Sequence, residues 1–260
     1  MSVFNLYSRY YNLLYSEKDY CGEAQYILEE LKKNQPHLKT VLNIGCGTGR
    51  HDFLLAQAGL KMTCIDRSAE MLEVAQTQLK TEESLIQKNI RFLKKDAESF
   101  QLDETFDAIT SLFHVVSYLT KNSQLQSMFE NVSKHLKVGG IFFFDVWYGP
   151  AVLTQKPESR VKQTEDEFIQ VSRLATPKID FSRNIVDVNY AITLTNKADL
   201  KIETLNETHS MRYFFLPEIE LLLTAAGLTL ISSAEWKTRK VLGPETWSAC
   251  FVAQKKTDGI

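Results

Sequence analysis

Three glycines at alternate positions, Gly45, Gly47 and Gly49, close the run Val41-Leu-Asn-Ile-Gly-Cys-Gly-Thr-Gly-Arg-His51. A residue without a Cβ lets the backbone turn sharply and pass close beneath a ligand. The dinucleotide-binding fingerprint is G-x-G-x-x-G, which sets a pyrophosphate on a helix N-terminus. The spacing in this chain is G-x-G-x-G, a different loop, which counts against a nicotinamide dehydrogenase. Asp66 stands at the end of the next apolar run, where a carboxylate can accept from both hydroxyls of a ribose. The plainer alternatives stay open at this level: the glycines as a tight connection, and Asp66 as a cap on the helix that follows.

The elements that must position these residues alternate. Thr40–Ile44, Lys61–Ile65, Ile90–Leu93, Phe106–Leu112 and Ile141–Val146 read as buried strands. Helices are expected over Asn5–Leu14, Glu23–Lys33 and His51–Ala58. A further helix follows Ser68, its N-cap, with Met71, Leu72 and Ala75 on its apolar face, and another covers Ser123–His135. Strands alternating with helices predict a doubly wound α/β sheet. The alternation stops between about Val152 and Tyr213, where Val186, Val188, Tyr190, Ile192 and Leu194 alternate with polar residues, the pattern of an antiparallel sheet with one wet face. A helix over Pro217–Ala226 and strands over Leu228–Ala234 and Trp247–Ala253 then resume the first pattern. The expected division is a cofactor-binding domain over 1–151 and 213–260, with an antiparallel β insertion over 152–212.

Composition narrows the partners. The 260 residues carry 30 Lys+Arg against 32 Asp+Glu, a net charge of -2, which disfavours a nucleic-acid binder that works by neutralising phosphates. No apolar run approaches a membrane span, and the N-terminus has no secretory pattern. Cys21, Cys46, Cys64 and Cys250 lie far apart without metal-ligand spacing, so no metal site is expected and a cytoplasmic location is. Five of the ten tyrosines, Tyr7, Tyr10, Tyr11, Tyr15 and Tyr20, fall in the first twenty residues.

Five segments taken in order resemble the class I S-adenosylmethionine-dependent methyltransferases: LNIGCGTGRH at 42–51, Asp66, KKDAESF at 94–100, FDAITSLFHVVSYL at 106–119 and LKVGGIFFFDVW at 136–147. The resemblance implies a Rossmann-like, seven-stranded mixed sheet and S-adenosylmethionine as cofactor, with S-adenosylhomocysteine as product. It implies that Gly45, Cys46, Gly47, Thr48 and Gly49 line the methionine part and that Asp66 holds the ribose. Arg67 or Met71 would pack near the adenine, Asp96 would accept from its amine with Ala97 opposite, and Leu112 and Phe113 would flank the sulfonium. Family members usually carry an acid two residues before the first glycine; this chain has Asn43, for which weaker cofactor binding is expected.

The opening Tyr11-Asn12-x-x-Tyr15-x-x-Lys18-Asp19-Tyr20-x-x-Glu23-Ala24 is similar to that of methyltransferases acting on nucleotide-linked amino sugars, with Asn12 in place of Asp. Their insertion covers the substrate or forms a dimer, so a homodimer through the insertion is possible. The resemblance puts Tyr11 and Tyr20 over the transfer site as a lid; packing of the helix on the sheet is the plainer alternative. Those enzymes tend to carry His a few residues after strand four, where this chain has Tyr118. SLFHVVSYL and the segment from Asp145 to Leu153 look more like methyltransferases from surface-polysaccharide clusters. Trp147 and Tyr148, at the ligand-binding edge of the sheet, would stack on a small sugar-like acceptor, unless Trp147 is hinge packing. An amine acceptor needs little beyond positioning, whereas a hydroxyl wants a general base, and His114 is the candidate, although a lone His is more often structural. His37, His135 and His209 are expected on loops or helix ends. The rival readings are a methyltransferase of another small amine or amino acid, and a non-catalytic binder of the cofactor.

Overall fold

The structure, a computed structural model, describes residues 10–256. Tyr7 and the first part of the expected helix over Asn5–Leu14 lie outside these residues; residues 10–14 are helical. Five parallel strands follow in chain order: β1 (Thr40–Ile44), β2 (Lys61–Asp66), β3 (Ile90–Lys94), β4 (Phe106–Ser111) and β5 (Leu136–Tyr148). Two late strands, β10 (Leu228–Glu235) and β11 (Ser248–Lys255), complete the core, with β11 antiparallel to β5. The core order is β3-β2-β1-β4-β5-β11-β10. β1 pairs with β2 on one side and with β4 on the other, so the order reverses there. A doubly wound sheet opens a ligand crevice at such a switch point, beyond the strands' carboxyl ends.

Helices flank this core. α1 (Tyr20–Asn34) is capped by Asp19, whose carboxylate accepts from the Gly22 N–H at 2.9 Å, and it buries Ala24, Ile27 and Leu31. α2 (Arg50–Gln57) starts at Gly49, and α3 (Ala69–Leu79) is capped by Ser68 as its sequence predicts. α4 (Ser84–Asn89) is short, and α5 (Asn122–His135) packs against β5. β5 is longer than the apolar run Ile141–Val146 suggests: Leu136 already pairs with Phe106, so Gly139 and Gly140 lie inside the strand rather than in a turn before it.

The insertion opens with a helix the strand pattern did not suggest, α6 (Gly149–Gln155), then runs as a meander of β6 (Arg160–Glu165), β7 (Ile169–Asp180), β8 (Ile185–Asn196) and β9 (Ile202–Phe214). Its last residues join the core, because Tyr213 and Phe214 pair in parallel with Trp147 and Tyr148. Among the described residues this join makes one eleven-stranded sheet, where the resemblance implied seven strands; the additional four are those of the meander. α7 (Leu216–Ala225) then leads into β10.

Alternation along β5 sorts three consecutive phenylalanines between the two faces of the sheet. Phe142 and Phe144 stack at 4.4 Å, and Phe129 of α5 meets both at 5.6 Å, while Phe143 enters the cluster on the opposite face with Tyr26 and Val41. Phe144 is fully buried and also stacks on Phe251. Phe144→Ala should lower unfolding stability by about 3–5 kcal/mol in denaturant titration; a loss under about 1 kcal/mol contradicts this packing.

Candidate functional site

The glycine loop follows β1 directly, at the switch point between β1 and β4. All three glycines have positive φ: 76° at Gly45, 57° at Gly47 and 77° at Gly49. A Cβ at Gly45 would lie 2.5 Å from the Val115 methyls, and one at Gly49 would lie 2.8 Å from the Phe92 ring. These two glycines permit packing. At Gly47 a Cβ would meet no atom of the described residues within 4 Å. The Gly47 N–H donates to Oδ2 of Asp66 at 2.8 Å, and the Ser68 N–H donates to Oδ1 at 2.8 Å. Burial pushes the Asp66 carboxyl above its ordinary value, and these backbone bonds offset only part of the rise. Each carboxylate oxygen keeps a second lone pair for a hydroxyl donor. Asp66 therefore ties the glycine loop to the turn into α3, whose cap is Ser68.

The other residues expected at the cofactor lie at neighbouring strand ends and in the turn into α3. Asp66 pairs with Lys94, so Asp96 and Ala97 stand just beyond the next strand end, both half-buried. Met71 is buried in the first turn of α3, Arg67 is exposed, and Leu112 is buried beneath the loop side of β4. Burial pushes the Cys46 thiol well up, so it is a neutral wall rather than a nucleophile. A half-buried acid, a glycine loop and an apolar wall suit a nucleoside with a short charged tail, so these residues fit S-adenosylmethionine.

Behind the loop lies a polar contact that sequence reasoning missed. Asn43 Nδ2 donates to both oxygens of Asp52, at 2.9 and 3.1 Å, and Asn43 Oδ1 accepts from Thr110 Oγ1 at 3.0 Å. Asp52 is fully buried, and burial pushes its carboxyl up to about 7 despite hydrogen bonds from Cys64 and Asn43. An acid at position 43 would face this carboxylate, so the amide is the side chain that fits. The Asp52 signal in sequence, an acid in a helix's first turn, reads as an ordinary dipole partner.

The N-terminal segment closes one side. Thr48 Oγ1 donates to Oδ1 of Asn12 at 3.2 Å, tying the segment to the loop. Tyr11 packs on Tyr15 at 4.8 Å, and Tyr15 meets Phe113 edge-on at 5.2 Å. Tyr20 is buried, with its ring against His51 at 4.9 Å and the Arg50 guanidinium at 4.2 Å. Lys18 Nζ lies 3.9 Å from the Phe113 ring centre and 2.6 Å from Glu23 Oε2, which His51 Nε2 also approaches at 2.8 Å. Burial pushes the Glu23 carboxyl up, but the His51 and Lys18 hydrogen bonds outweigh it and hold the carboxyl below its ordinary value.

The turn after β4 closes the other side. Phe113 and His114 both adopt left-handed backbone, with φ of 64° and 63°, a costly geometry for residues with a Cβ. The Asp145 carboxylate holds it in place. The His114 N–H donates to both its oxygens at 3.2 Å, and His114 Nδ1 stands 2.7 Å from Oδ2 as an ion-pair approach without hydrogen-bond alignment. Trp147 faces His114 at 6.4 Å. Tyr148, the next residue along β5, points the other way into the main core cluster, with 8% exposure. The expectation that it stacks on an acceptor is therefore corrected by strand alternation. Tyr118 ends the 3-10 helix Val115–Tyr118 and pairs with His209 at 2.8 Å. His209 lies on β9, not on a loop or helix end as expected.

The comparisons with known proteins agree with this geometry. Residues 41–140 match the family model described as "Methyltransferase domain". The chain is 25% identical over 220 residues to the dTDP-3-amino-3,4,6-trideoxy-alpha-D-glucopyranose N,N-dimethyltransferase of Streptomyces venezuelae, covering 84% of this chain and 88% of that protein. It is 24% identical over 213 residues to the dTDP-3-amino-3,6-dideoxy-alpha-D-glucopyranose N,N-dimethyltransferase of Streptomyces fradiae, covering 82% and 79%. An S-adenosylmethionine-dependent methyltransferase from Clostridium acetobutylicum shares the fold, with a TM-score of 0.81 at 21% identity over 98% of this chain and 100% of that one. Residues 41–140 thus carry the match to a methyltransferase domain, and the Clostridium structure shares the fold of the whole chain.

The raised Asp52 carboxyl makes stability depend on pH. Between its ordinary value of 3.8 and about 7, native Asp52 holds a proton that the unfolded chain has released. Stability therefore falls as pH rises through that window, and the loss is complete above it. Asp52→Asn should raise Tm relative to the wild type by more at pH 8 than at pH 5 in scanning calorimetry; equal shifts at both pH values contradict the assignment.

Proposed function

We propose that the protein transfers a methyl group from S-adenosylmethionine to an amine or hydroxyl of a small, sugar-like, nucleotide-linked acceptor. The observation that carries this reading is the His114–Asp145 pair in the strained turn after β4, packed through Val115 onto the first glycine of the loop. The relatives' printed activities, on dTDP-linked amino sugars, support the acceptor class. Bound in the crevice, the donor supplies a sulfonium methyl group open to in-line attack.

The chain's own residues bind, orient and exclude water. Gly45 to Gly49 accommodate the amino-acid part, Asp66 accepts from the ribose hydroxyls, and Asp96 with Ala97 reads the adenine edge. Met71 and Arg67 border that base, and Leu112 and Phe113 form the wall beside the methyl group. Tyr11 and Tyr20 belong to the N-terminal cover. Tyr118 and Trp147 contact the acceptor. Holding the attacking atom about 3 Å from the methyl carbon supplies most of the acceleration. For a hydroxyl acceptor His114 takes the proton, with Asp145 holding the backbone of the turn and opposing the imidazolium charge. The near-neutral chain suits a cytoplasmic enzyme of small metabolites rather than of nucleic acid. Val161, Leu174 and Ile202, exposed on the outer face of the insertion, suit a homodimer contact.

The test is transfer of labelled methyl from S-adenosylmethionine to dTDP-linked 3-amino and 3-hydroxy deoxysugars. Transfer to at least one is expected. His114→Ala should reduce O-methylation by about 100-fold or more, and full retained O-methylation retires the base role. Donor binding without transfer to any acceptor identifies a binding protein instead.

A further inference from the structure

The inner face of the insertion sheet carries a polar island where its periodicity calls for apolar residues. Cross-strand pairs share a face, so the pairs Lys162–Arg173, Ala175–Tyr190, Tyr190–Glu207 and Val188–His209, in three neighbouring rows, lie on one face of β6 to β9. On one side of the island lie buried Val171, Ile192 and Leu194; on the other lie buried Val186, Val188 and Tyr213. Between these clusters, four polar groups are linked in series. Tyr118 Oη lies 2.8 Å from His209 Nδ1, and His209 Nε2 lies 3.1 Å from Glu207 Oε2. Glu207 Oε1 accepts from Tyr10 Oη at 2.7 Å. Burial pushes the Glu207 carboxyl up, but the bonds from His209 and Tyr10 outweigh it and keep the carboxyl in its charged form.

The series reaches the transfer site through Tyr118. In a 3-10 helix residues three apart lie on one face, so Tyr118 shares a face with Val115, whose methyls pack against Gly45. Tyr118 is 39% exposed, so its side chain is open to a small molecule from solvent. Its partner comes from 91 residues further along the chain, which makes the contact a property of the insertion docked on the core. A phenol, an imidazole and a carboxylate in line form the arrangement that lets an imidazole take a proton and hold the charge.

We propose that Tyr118, His209 and Glu207 form the proton exit for an amine acceptor, with Tyr118 touching the acceptor nitrogen. This rests on the amine form of the reading above. When the nitrogen lone pair forms its bond to the methyl carbon, the nitrogen becomes an ammonium. One N–H bond then breaks, its electron pair stays on nitrogen, and the proton passes to Tyr118 Oη. The Tyr118 hydroxyl proton moves at the same time to Nδ1 of His209, and Glu207 opposes the imidazolium charge. Glu207 is a positioning residue. Among the described residues, Tyr190 meets His209 edge-on at 5.0 Å; Arg173 lies one step further, its guanidinium 4.6 Å over the Tyr190 ring, and Tyr10 reaches the series through Glu207. A second methylation of the same nitrogen requires the first product to lose this proton, so the exit matters most for a dimethylating enzyme.

The relay requires neutral His209 to carry its proton on Nε2, donated to Glu207, with Nδ1 accepting from Tyr118. Nitrogen NMR of the histidine-labelled free protein reads this directly, independently of activity. The Nε2–H form in the wild type, with the Nδ1 signal moving in Tyr118→Phe, is the expected result. An Nδ1–H form, or no response to Tyr118→Phe, overturns the relay. Kinetics use dTDP-3-amino-3,6-dideoxyglucose as the probe, with donor affinity as the control. His209→Asn and Glu207→Gln should leave the donor Kd unchanged and lower kcat about ten-fold or more near pH 7. Their optimum should move to higher pH, where the amine is deprotonated without help. Wild-type transfer with unaltered pH profiles in both variants overturns the relay alone. Absence of wild-type transfer to the probe overturns the relay together with the amine reading.

Discussion

The missing Cβ at Gly45 is the constraint on which the site depends. Without it, the loop after β1 and the turn after β4 approach until the Val115 methyls occupy the place a Cβ would take. That contact joins the two strand ends that flank the switch point. It fixes the height of the 3-10 helix, and with it the direction of His114 on one side and Tyr118 on the other. The left-handed backbone at Phe113 and His114 costs of order 1–3 kcal/mol per residue. Asp145 offsets the cost by accepting from the backbone and facing the ring of the same histidine. Strain at the site is thus held by a buried carboxylate on the neighbouring strand.

Buried and half-buried acids follow one pattern throughout the site: each is met by at least one donor from outside its own element. Asp66 takes backbone N–H groups of the loop and of the turn into α3, and Asp52 takes the Asn43 amide. Glu23 takes Lys18 and His51, and Glu207 takes Tyr10 and His209. An unpaired buried acid would cost several kcal/mol, so these contacts also select the docking of the N-terminal segment and the insertion. The Asn43–Asp52 pair reinterprets a departure from the family pattern. The amide at 43 serves an acid that α2 supplies from behind the loop, and its own carbonyl is already engaged by Thr110.

Local signals carried much of the fold. β1 spans the expected Thr40–Ile44, and Ser68 caps α3 as its side chain and position predict. The alternation around Val186 to Leu194 gave the antiparallel insertion. Periods of 2 and 3.6 and the chemistry of caps act within a few residues, so they survive in a single sequence. The contacts that make the site depend on register between distant strands, which no local pattern encodes. Asp145 meets His114 only because β4 and β5 align Ser111 with Phe144, and Tyr118 meets His209 only because β9 returns to the end of β5. Tyr148 failed as a site residue for a related reason: one step along a strand reverses the face, and the choice of face was not visible without the partners.

Donor binding is the most direct test of the account. Isothermal titration of the wild type with S-adenosylmethionine should show one-site binding, and titration with NAD should show none. Asp66→Ala should raise the donor Kd at least about ten-fold, or about 1.4 kcal/mol. Binding of NAD without the methyl donor, or an unchanged donor Kd in Asp66→Ala, would contradict the account.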